Sequence, residues 1–494
     1  MMKILLIKPP QVIQKNFKGV ARLFPAMGLG YIASSLESKG YAVKILDASL
    51  EKWRKISKRD DGMKYVGLNW DEISERVGKE DPDIVGITAF TIDAYNAFLT
   101  AKAVKKANDK IKIVMGGCHA SVVPLKTISD ENIDFVVVGE GEETILELVE
   151  AIEAGSGFES INGLVYKENG KIIKNEPRPL MKNLDELLFP AWHLMHLDKY
   201  FDICKNLQGS HLTPERQFMI ITSRSCPYNC VFCSVRNIMG RGFRPRSPEN
   251  VIEEMKKLID KYDIKLLSFE DDNLTFDKKR AERIFDLMIE KGISKKIEWD
   301  TPNGLRADTL DEPLLLKMKE SGAKFICISP ESGSQRVVNE IIRKNLDLKT
   351  VENVVRICKK IGLKVACFFV IGLPGETKED LEKTVDFANK LRELGGIPLC
   401  TIARPTYGTD LYKIVKEKGY LLKDGKELEI AILNGEGTIK TPEFSPDDLR
   451  EYAGRIRKGN ETAEIKEVLR SKPINAMRLF LTHPLVLLKY LLGR

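Results

Sequence analysis

The sequence predicts an α/β protein built in series: a doubly wound parallel sheet, then a partial (β/α)6 barrel open on one side, then a mainly helical C-terminal segment. Three observations predict it. Short β-branched runs alternate with amphipathic stretches up to about residue 150 and again from Phe218 to Ile402, as parallel sheets require. A stretch rich in proline and aromatic residues breaks that rhythm between the two series. The 494 residues also exceed one core at roughly 150 residues per domain. The domains read as 1–152 and 212–430, joined by a connector at 153–211 and followed by the segment 431–494.

In the first series the strands are Ile4 to Ile7, Val43 to Leu46, Ile84 to Thr88, Ile111 to Met115 and Phe135 to Val138, separated by helical patterns such as Gly28 to Ser38, Asp93 to Ala107 and Glu142 to Ala154. A ligand of such a sheet sits beyond the carboxyl ends of its strands. Those ends carry Pro9-Pro10-Gln11, Asp47, Thr88 to Thr91, Gly116-Gly117-Cys118-His119 and Gly139-Glu140-Gly141-Glu142. Glycine there lets backbone approach a bulky ligand, and equally makes an ordinary turn. The connector holds the turn signal Asn169-Gly170 and the run Phe189-Pro190-Ala191-Trp192.

The second series has strands at Phe218 to Thr222, Leu266 to Phe269, Ile297 to Trp299, Phe325 to Ser329, Val365 to Ile371 and Leu399 to Ile402, with helices at Pro248 to Lys261, Lys278 to Lys291, Asp311 to Glu320, Lys349 to Lys360 and Glu376 to Arg392. Six such units make an incomplete barrel with its chemistry at the strands' carboxyl ends.

A balance of 43% hydrophobic and 30% charged residues is that of a globular chain. The net charge of +7, from 78 basic and 71 acidic residues, makes a nucleic-acid partner possible but does not argue for one, and none is expected. The one dense basic run, Arg241, Arg244 and Arg246, reads as a solvated or substrate-phosphate-facing loop. The opening MMKILLIKPP is too short for a signal sequence, which points to the cytoplasm. The apolar C-terminal stretch, broken by Pro484 and Lys489, is too short to span a bilayer. It reads as a docked helix, with peripheral contact to a membrane surface as the other use of the tail.

Nine cysteines, an odd number with three clustered, fit a reducing compartment and a metal site. The cluster, Cys226-Pro-Tyr-Asn-Cys230-Val-Phe-Cys233, directly follows the first barrel strand. Thiolates are natural ligands of iron-sulfur clusters, and three leave one iron of a 4Fe-4S cluster open. A zinc site wants a fourth ligand at matching spacing; the nearest histidine, His211, lies before the strand. Cys118, Cys204, Cys327, Cys358, Cys367 and Cys400 are scattered singly, several in apolar strands where cysteine packs as a small hydrophobe.

The cysteine spacing, Phe232 before the last cysteine, and the motif's place in a six-fold β/α series resemble the radical S-adenosylmethionine (SAM) superfamily. The resemblance implies SAM contacts from Phe232, from Glu270, Asp271 and Asp272 toward the methionyl amino group, from Glu331 and Ser332 toward the ribose, and from Gly372 and Pro374 on the adenine side. Here Ser329-Pro330 precedes Glu331, where the family usually has glycine and an aliphatic residue.

The N-terminal half resembles the cobalamin-binding domain of one subgroup, that of class B methylases and magnesium-protoporphyrin ester cyclases. The matching residues are Pro25-Ala-Met-Gly28-Leu-Gly30-Tyr31, Asp83-Ile-Val-Gly86-Ile-Thr88, Gly116-Gly117-Cys118-His119 and Asp134 through Glu142. Cobalamin contacts are then expected from Thr88, Thr91, Gly116, Gly117, Gly139, Glu140 and Gly141. The chain lacks Asp-x-His-x-x-Gly, so His119 is not expected to ligate cobalt. Arg306, Lys344 and Tyr407 are candidates for the substrate side.

What the resemblance implies is a 4Fe-4S cluster, SAM and cobalamin, an electron donor such as ferredoxin or flavodoxin, a 5'-deoxyadenosyl radical, and methylation of an unactivated carbon of a small molecule or lipid. The alternatives are radical cyclisation or oxidative rearrangement of a tetrapyrrole or lipid without net methylation, and a non-enzymatic cobalamin or redox sensor. Methylthio transfer to RNA would want a second cysteine trio and an RNA-binding domain, and the sequence has neither.

Overall fold

The computed structural model describes residues 2–15, 21, 23–206 and 216–458. The apolar C-terminal tail and His211 lie outside the described residues.

Among the described residues the first sheet has seven strands, in the order Lys171–Lys174, Leu164–Glu168, Phe135–Val137, Lys112–Gly116, Ile84–Thr88, Lys3–Lys8 and Ala42–Asp47. The last five are mutually parallel. Lys3–Lys8 is an interior strand covered on both faces, so Ile4, Leu5, Leu6 and Ile7 are all buried and the strand reads as one apolar run. Chain order reverses direction on either side of this strand. The crevice opens there, beyond Lys8 and Thr88.

The other two strands form an antiparallel hairpin across Asn169 and Gly170, both at positive φ, as a two-residue primed turn demands. The hairpin extends the first sheet's edge, whereas the sequence puts those residues in the connector. A small antiparallel sheet of Gln11–Ile13, Lys64–Val66 and Ile56–Lys58 also lies outside the strands read from sequence. Three-residue strands are too short to show a period.

The barrel strands, Gln217–Ile220, Leu266–Phe269, Glu298–Leu305, Ala323–Glu331, Lys364–Ile371 and Ile397–Ile402, pair in parallel and in chain order without closing. Trp299 anchors the core behind them, stacked on Phe285 at 5.0 Å and edge-on to Phe269 at 5.2 Å. Helix starts follow local chemistry. Ser247 caps Pro248–Tyr262, Asp311 caps Glu312–Glu320, and Thr377 with Asp380 forms a capping box on Lys378–Glu393.

The described part of the C-terminal segment touches both domains. Helix Pro446–Arg457 packs on the last barrel strand and on Lys378–Glu393. Helix Gly425–Leu433 lies on the first domain, with Lys426 paired to Asp61 at 2.9 Å. No helix among the described residues is long and apolar enough to cross a membrane.

Candidate active site

The first barrel strand runs out into Ser223–Arg224, which pairs with Arg244–Pro245, and the chain then turns at Ser225 with φ +72°. Cys226, Cys230 and Cys233 follow, half-buried and reduced. The loop is pinned at its middle, where Val231 donates its N–H to Ile342 O at 3.1 Å and accepts from Leu411 N at 2.9 Å. Phe232 packs half-buried against the barrel core. Burial pushes all three thiols up, Cys233 to about 12, with Cys226 adding to the rise at Cys230 and both other cysteines adding to it at Cys233. Metal coordination would therefore supply the deprotonation. No three His, Cys, Asp or Glu among the described residues converge as around one ion. A cuboidal cluster asks for something different, each cysteine on its own iron, and a loop of three neighbouring thiols fits that.

The acidic motif divides its work. Glu270 is held by its backbone, donating to Ile220 O at 2.9 Å and accepting from Asn303 Nδ2 at 2.9 Å. Asp271 is buried and turned inward, accepting from Thr222 Oγ1 at 2.7 Å, Thr222 N at 3.2 Å and the Ser223 hydroxyl. Both its oxygens are occupied, so it braces the first two strands. Asp272 is half-buried, and burial and the neighbouring Asp271 push its carboxyl up to about 6. Asn273 is buried, its amide turned to the Cys226 thiol and otherwise unpartnered. A desolvated carboxyl next to an unsatisfied amide suits a cationic, hydrogen-bonding ligand such as an ammonium.

Glu331 ends the fourth strand at φ +68°, after a register break that begins at Ile328. Left-handed backbone at a glutamate costs about 1–3 kcal/mol and marks a constrained site. Its carboxylate accepts from Lys344 Nζ at 2.7 Å, with both side chains buried. Arg306 donates to Lys344 O at 2.9 Å, pairs with Asp308 and lies 3.6 Å from the Tyr228 ring centroid. Arg306 and Lys344, substrate-side candidates from sequence, are thus joined to Glu331 and the cysteine loop. Ser332 is buried, its hydroxyl 3.0 Å from Thr384 Oγ1.

The fifth strand closes in a turn at Gly372, φ +91°, where a Cβ would stand 2.5 Å from Leu449 Cδ1. Buried Glu376 holds the turn from inside, accepting from Gly372 N at 2.7 Å and Leu373 N at 2.8 Å, which leaves Pro374 half-buried at its tip. Burial pushes Glu376 up to about 7.

The first sheet's mouth is made of backbone. Gly117 has φ +91°, and a Cβ there would fall 2.9 Å from Thr88 Oγ1 and 3.0 Å from Ala89 O. Gly116 and Gly139 instead face open space, with nothing within 4 Å of where a Cβ would stand, while Gly141 abuts Ile32. Thr88 and Thr91 are half-buried beside them. Phe90 and Ile92, which the sequence did not single out, are 52% and 42% exposed at the same strand end. Open glycine edges and uncovered apolar side chains fit a broad ligand such as a corrin.

Glu140 does not face that space freely: its carboxylate is taken by Arg224, Arg244 and the N–H of Met181. His119 is buried between the Phe98 and Tyr407 rings, each 6.1 Å away, with both ring nitrogens unpartnered and its pKa lowered to about 4 by burial. It has no surface left for a corrin. Tyr407 is correspondingly an interdomain packing residue, with the Lys126 ammonium 5.0 Å from its ring.

The basic run is corrected. Arg241 is exposed, but Arg244 pairs with Glu140 and buried Arg246 pairs with buried Glu254. Their acidic partners lie 104 residues away, at Glu140, and eight residues away inside the following helix, at Glu254, so charge spacing alone could not reveal them. Helix Cys118–Val122, which starts directly after Gly117, packs against helix Val235–Ile238, which starts two residues after Cys233. The two mouths therefore face each other.

Residues 220–388 match the family model of the radical SAM superfamily, and residues 18–149 match that of the B12 binding domain. An uncharacterized methyltransferase of Pyrococcus horikoshii is 37% identical over 423 residues, 85% of this chain and 84% of that one. Cytidylyl-2-hydroxyethylphosphonate methyltransferase of Streptomyces wedmorensis is 30% identical over 490 residues, 92% of this chain and 89% of the other. The structure of the cobalamin-dependent S-adenosylmethionine radical enzyme OxsB, with aqua-cobalamin and S-adenosylmethionine bound, superposes with a TM-score of 0.73 at 16% identity. That match covers all of this chain and 72% of the other, and it shows a shared fold. Similarity of this extent, across both domains and the loop of three cysteines, makes the chain a member of the radical SAM superfamily, in the branch that carries a B12-binding domain ahead of the barrel and includes methyltransferases.

Proposed function

We propose that the protein methylates an unactivated carbon of a small molecule held between the two mouths. The cluster, SAM and cobalamin of this family together supply reductive radical generation and a transferable methyl group. Cys226, Cys230 and Cys233 each hold one iron and leave the fourth to SAM. Asp272 and Asn273 take the ammonium of its methionyl end, with Asp271 bracing them. The Glu331–Lys344 pair presents an acceptor and a donor to ribose hydroxyls, and the turn at Gly372 to Pro374 borders the adenine. Across the gap, Thr88, Thr91, Gly116 and Gly139 edge the corrin, while Gly117 and Gly141 keep the loops close enough to do so. Enclosure between the domains excludes water from the reacting carbon. A small low-potential carrier such as ferredoxin or flavodoxin would supply the two electrons of each turnover, one for SAM cleavage and one for remethylation of the cobalamin by a second SAM.

One observation carries the reading. Helix Cys118–Val122 at the first sheet's mouth packs against helix Val235–Ile238, which follows Cys233, and this contact supports a single shared reaction space. The test feeds the native host methionine with a fully deuterated methyl group. A metabolite carrying that methyl intact should vanish when the gene is deleted. Loss of an unlabelled, hydrogen-poor product instead would replace methylation with ring closure or oxidative rearrangement.

A further inference from the structure

Two residues before the first cluster cysteine, Arg224 leaves the barrel and enters the first domain. Its guanidinium donates to Glu140 Oε1 at 2.8 Å and to Glu142, and lies 5.4 Å from the Tyr31 ring centroid. Arg244 holds the same Glu140 carboxylate at 2.9 Å and also donates to Ser225 Oγ at 3.2 Å and Met181 O at 2.8 Å. The side chains of Arg224, Glu140, Glu142 and Arg244 are 9%, 8%, 10% and 11% exposed, so the network is shielded from solvent screening. Although burial works against it, the two arginines hold the Glu140 carboxyl below its usual range.

The ends of this network matter more than its middle. On the barrel side it grips Arg224 and Ser225, the two residues leading into Cys226. On the first domain's side it grips Glu140, next to Gly139 of the strand-end edge, and Glu142, the first residue of helix Glu142–Ala154. Pairs this dry add little to stability, because desolvation offsets their attraction; what they add is register. Reaction geometry is sensitive to displacements of about 1 Å.

We propose that Arg224 and Glu140 are positioning residues that fix the cluster loop against the cobalamin-facing loop, so that this network sets the separation of cluster and cobalt. The proposal rests on the placement of cobalamin at the first sheet's mouth.

Two variants approach the network from opposite sides. Arg224→Lys keeps a charge but loses the planar fork that spans two carboxylates. Glu140→Gln keeps shape, loses charge and lies in the other domain. The full chain is reconstituted with iron and sulfide, loaded with hydroxocobalamin and reduced with dithionite. The electron paramagnetic resonance line of cobalt(II) is then read for broadening by the reduced cluster. In the unaltered protein the line should be broadened. Each variant should keep its iron and its cobalamin while the broadening drops roughly two-fold or more, as a separation longer by about a quarter would produce in a dipolar coupling that falls with the cube of distance. The double variant should fall no further than either single one.

Broadening equal to that of the unaltered protein in both variants overturns the proposal, and so do fully additive losses. If Arg224→Lys sheds the cluster, Glu140→Gln alone decides by the same criterion. An unaltered protein that binds no hydroxocobalamin overturns the cobalamin placement itself, and the proposal with it.

Discussion

The barrel's mouth and the first sheet's mouth face each other but are built from opposite materials. The barrel presents side chains: three thiols, the carboxyl of Asp272, the unsatisfied amide of Asn273 and the buried Glu331–Lys344 pair. The first sheet presents backbone, in Gly116, Gly117 and Gly139, with Phe90 and Ile92 uncovered beside it. A site of side chains fails when an atom is removed, and a site of backbone fails when an atom is added. Each mouth should therefore be breakable without harming the other.

The largest effect is expected from Cys230→Ser. It should abolish cluster assembly and bring SAM cleavage to background, measured as protein-bound iron and as 5'-deoxyadenosine, while cobalamin binding persists. Gly117→Val is the converse. A Cβ 2.9 Å from Thr88 Oγ1 at φ +91° should cost about 2–4 kcal/mol, lowering the melting temperature by roughly 5–10 °C and weakening cobalamin retention, with cluster iron unchanged. If Gly117→Val retained cobalamin normally, the backbone account of that mouth would be wrong.

Asp272→Asn should be smaller. Loss of one carboxylate facing a cation is expected to raise the SAM concentration for half-maximal 5'-deoxyadenosine formation about ten-fold, or ~1.4 kcal/mol. Asp271→Asn should instead lower thermal stability, since that carboxylate serves the first two strands. The contrast would sharpen the division of labour within the acidic motif.

The smallest effect concerns the helix Gly425–Leu433 on the first domain. Burial pushes Glu429 up to about 7, against the attraction of Lys126, Arg59 and Lys426. A carboxyl with a folded pKa above its unfolded value near 4.5 binds more protons in the folded state. Its share of stability is present below about pH 4.5 and lost as pH rises through about 7. Glu429→Gln should therefore melt higher than the unaltered chain at pH 8, by about 1 kcal/mol or more, and differ little at pH 4.5. Melting curves at the two pH values check it.

The same contrast explains what the sequence revealed. The cysteine loop, the acidic strand end and the six barrel strands were legible because side-chain type, spacing and apolar period are local properties. The roles of Lys344, Arg306 and Tyr407 were not, because each is fixed by a partner far along the chain or across the domain boundary: Glu331, the Tyr228 ring and His119. Asn169-Gly170 was legible as a turn, but only strand pairing could assign its hairpin to the first sheet's edge. Arg244 and Arg246 misled as a solvated run, since burial with Glu140 and Glu254 leaves no mark in the local pattern.

The central claim is that the two mouths serve one methyl transfer. The most direct measurement incubates the anaerobically reconstituted, cobalamin-loaded protein with a low-potential reductant, with SAM bearing a deuterated methyl group, and with the substrate identified by the labelling comparison. The account predicts 5'-deoxyadenosine and S-adenosylhomocysteine in equal amounts, together with a product carrying the intact deuterated methyl. Substrate-dependent 5'-deoxyadenosine with no S-adenosylhomocysteine and an unlabelled product would contradict it.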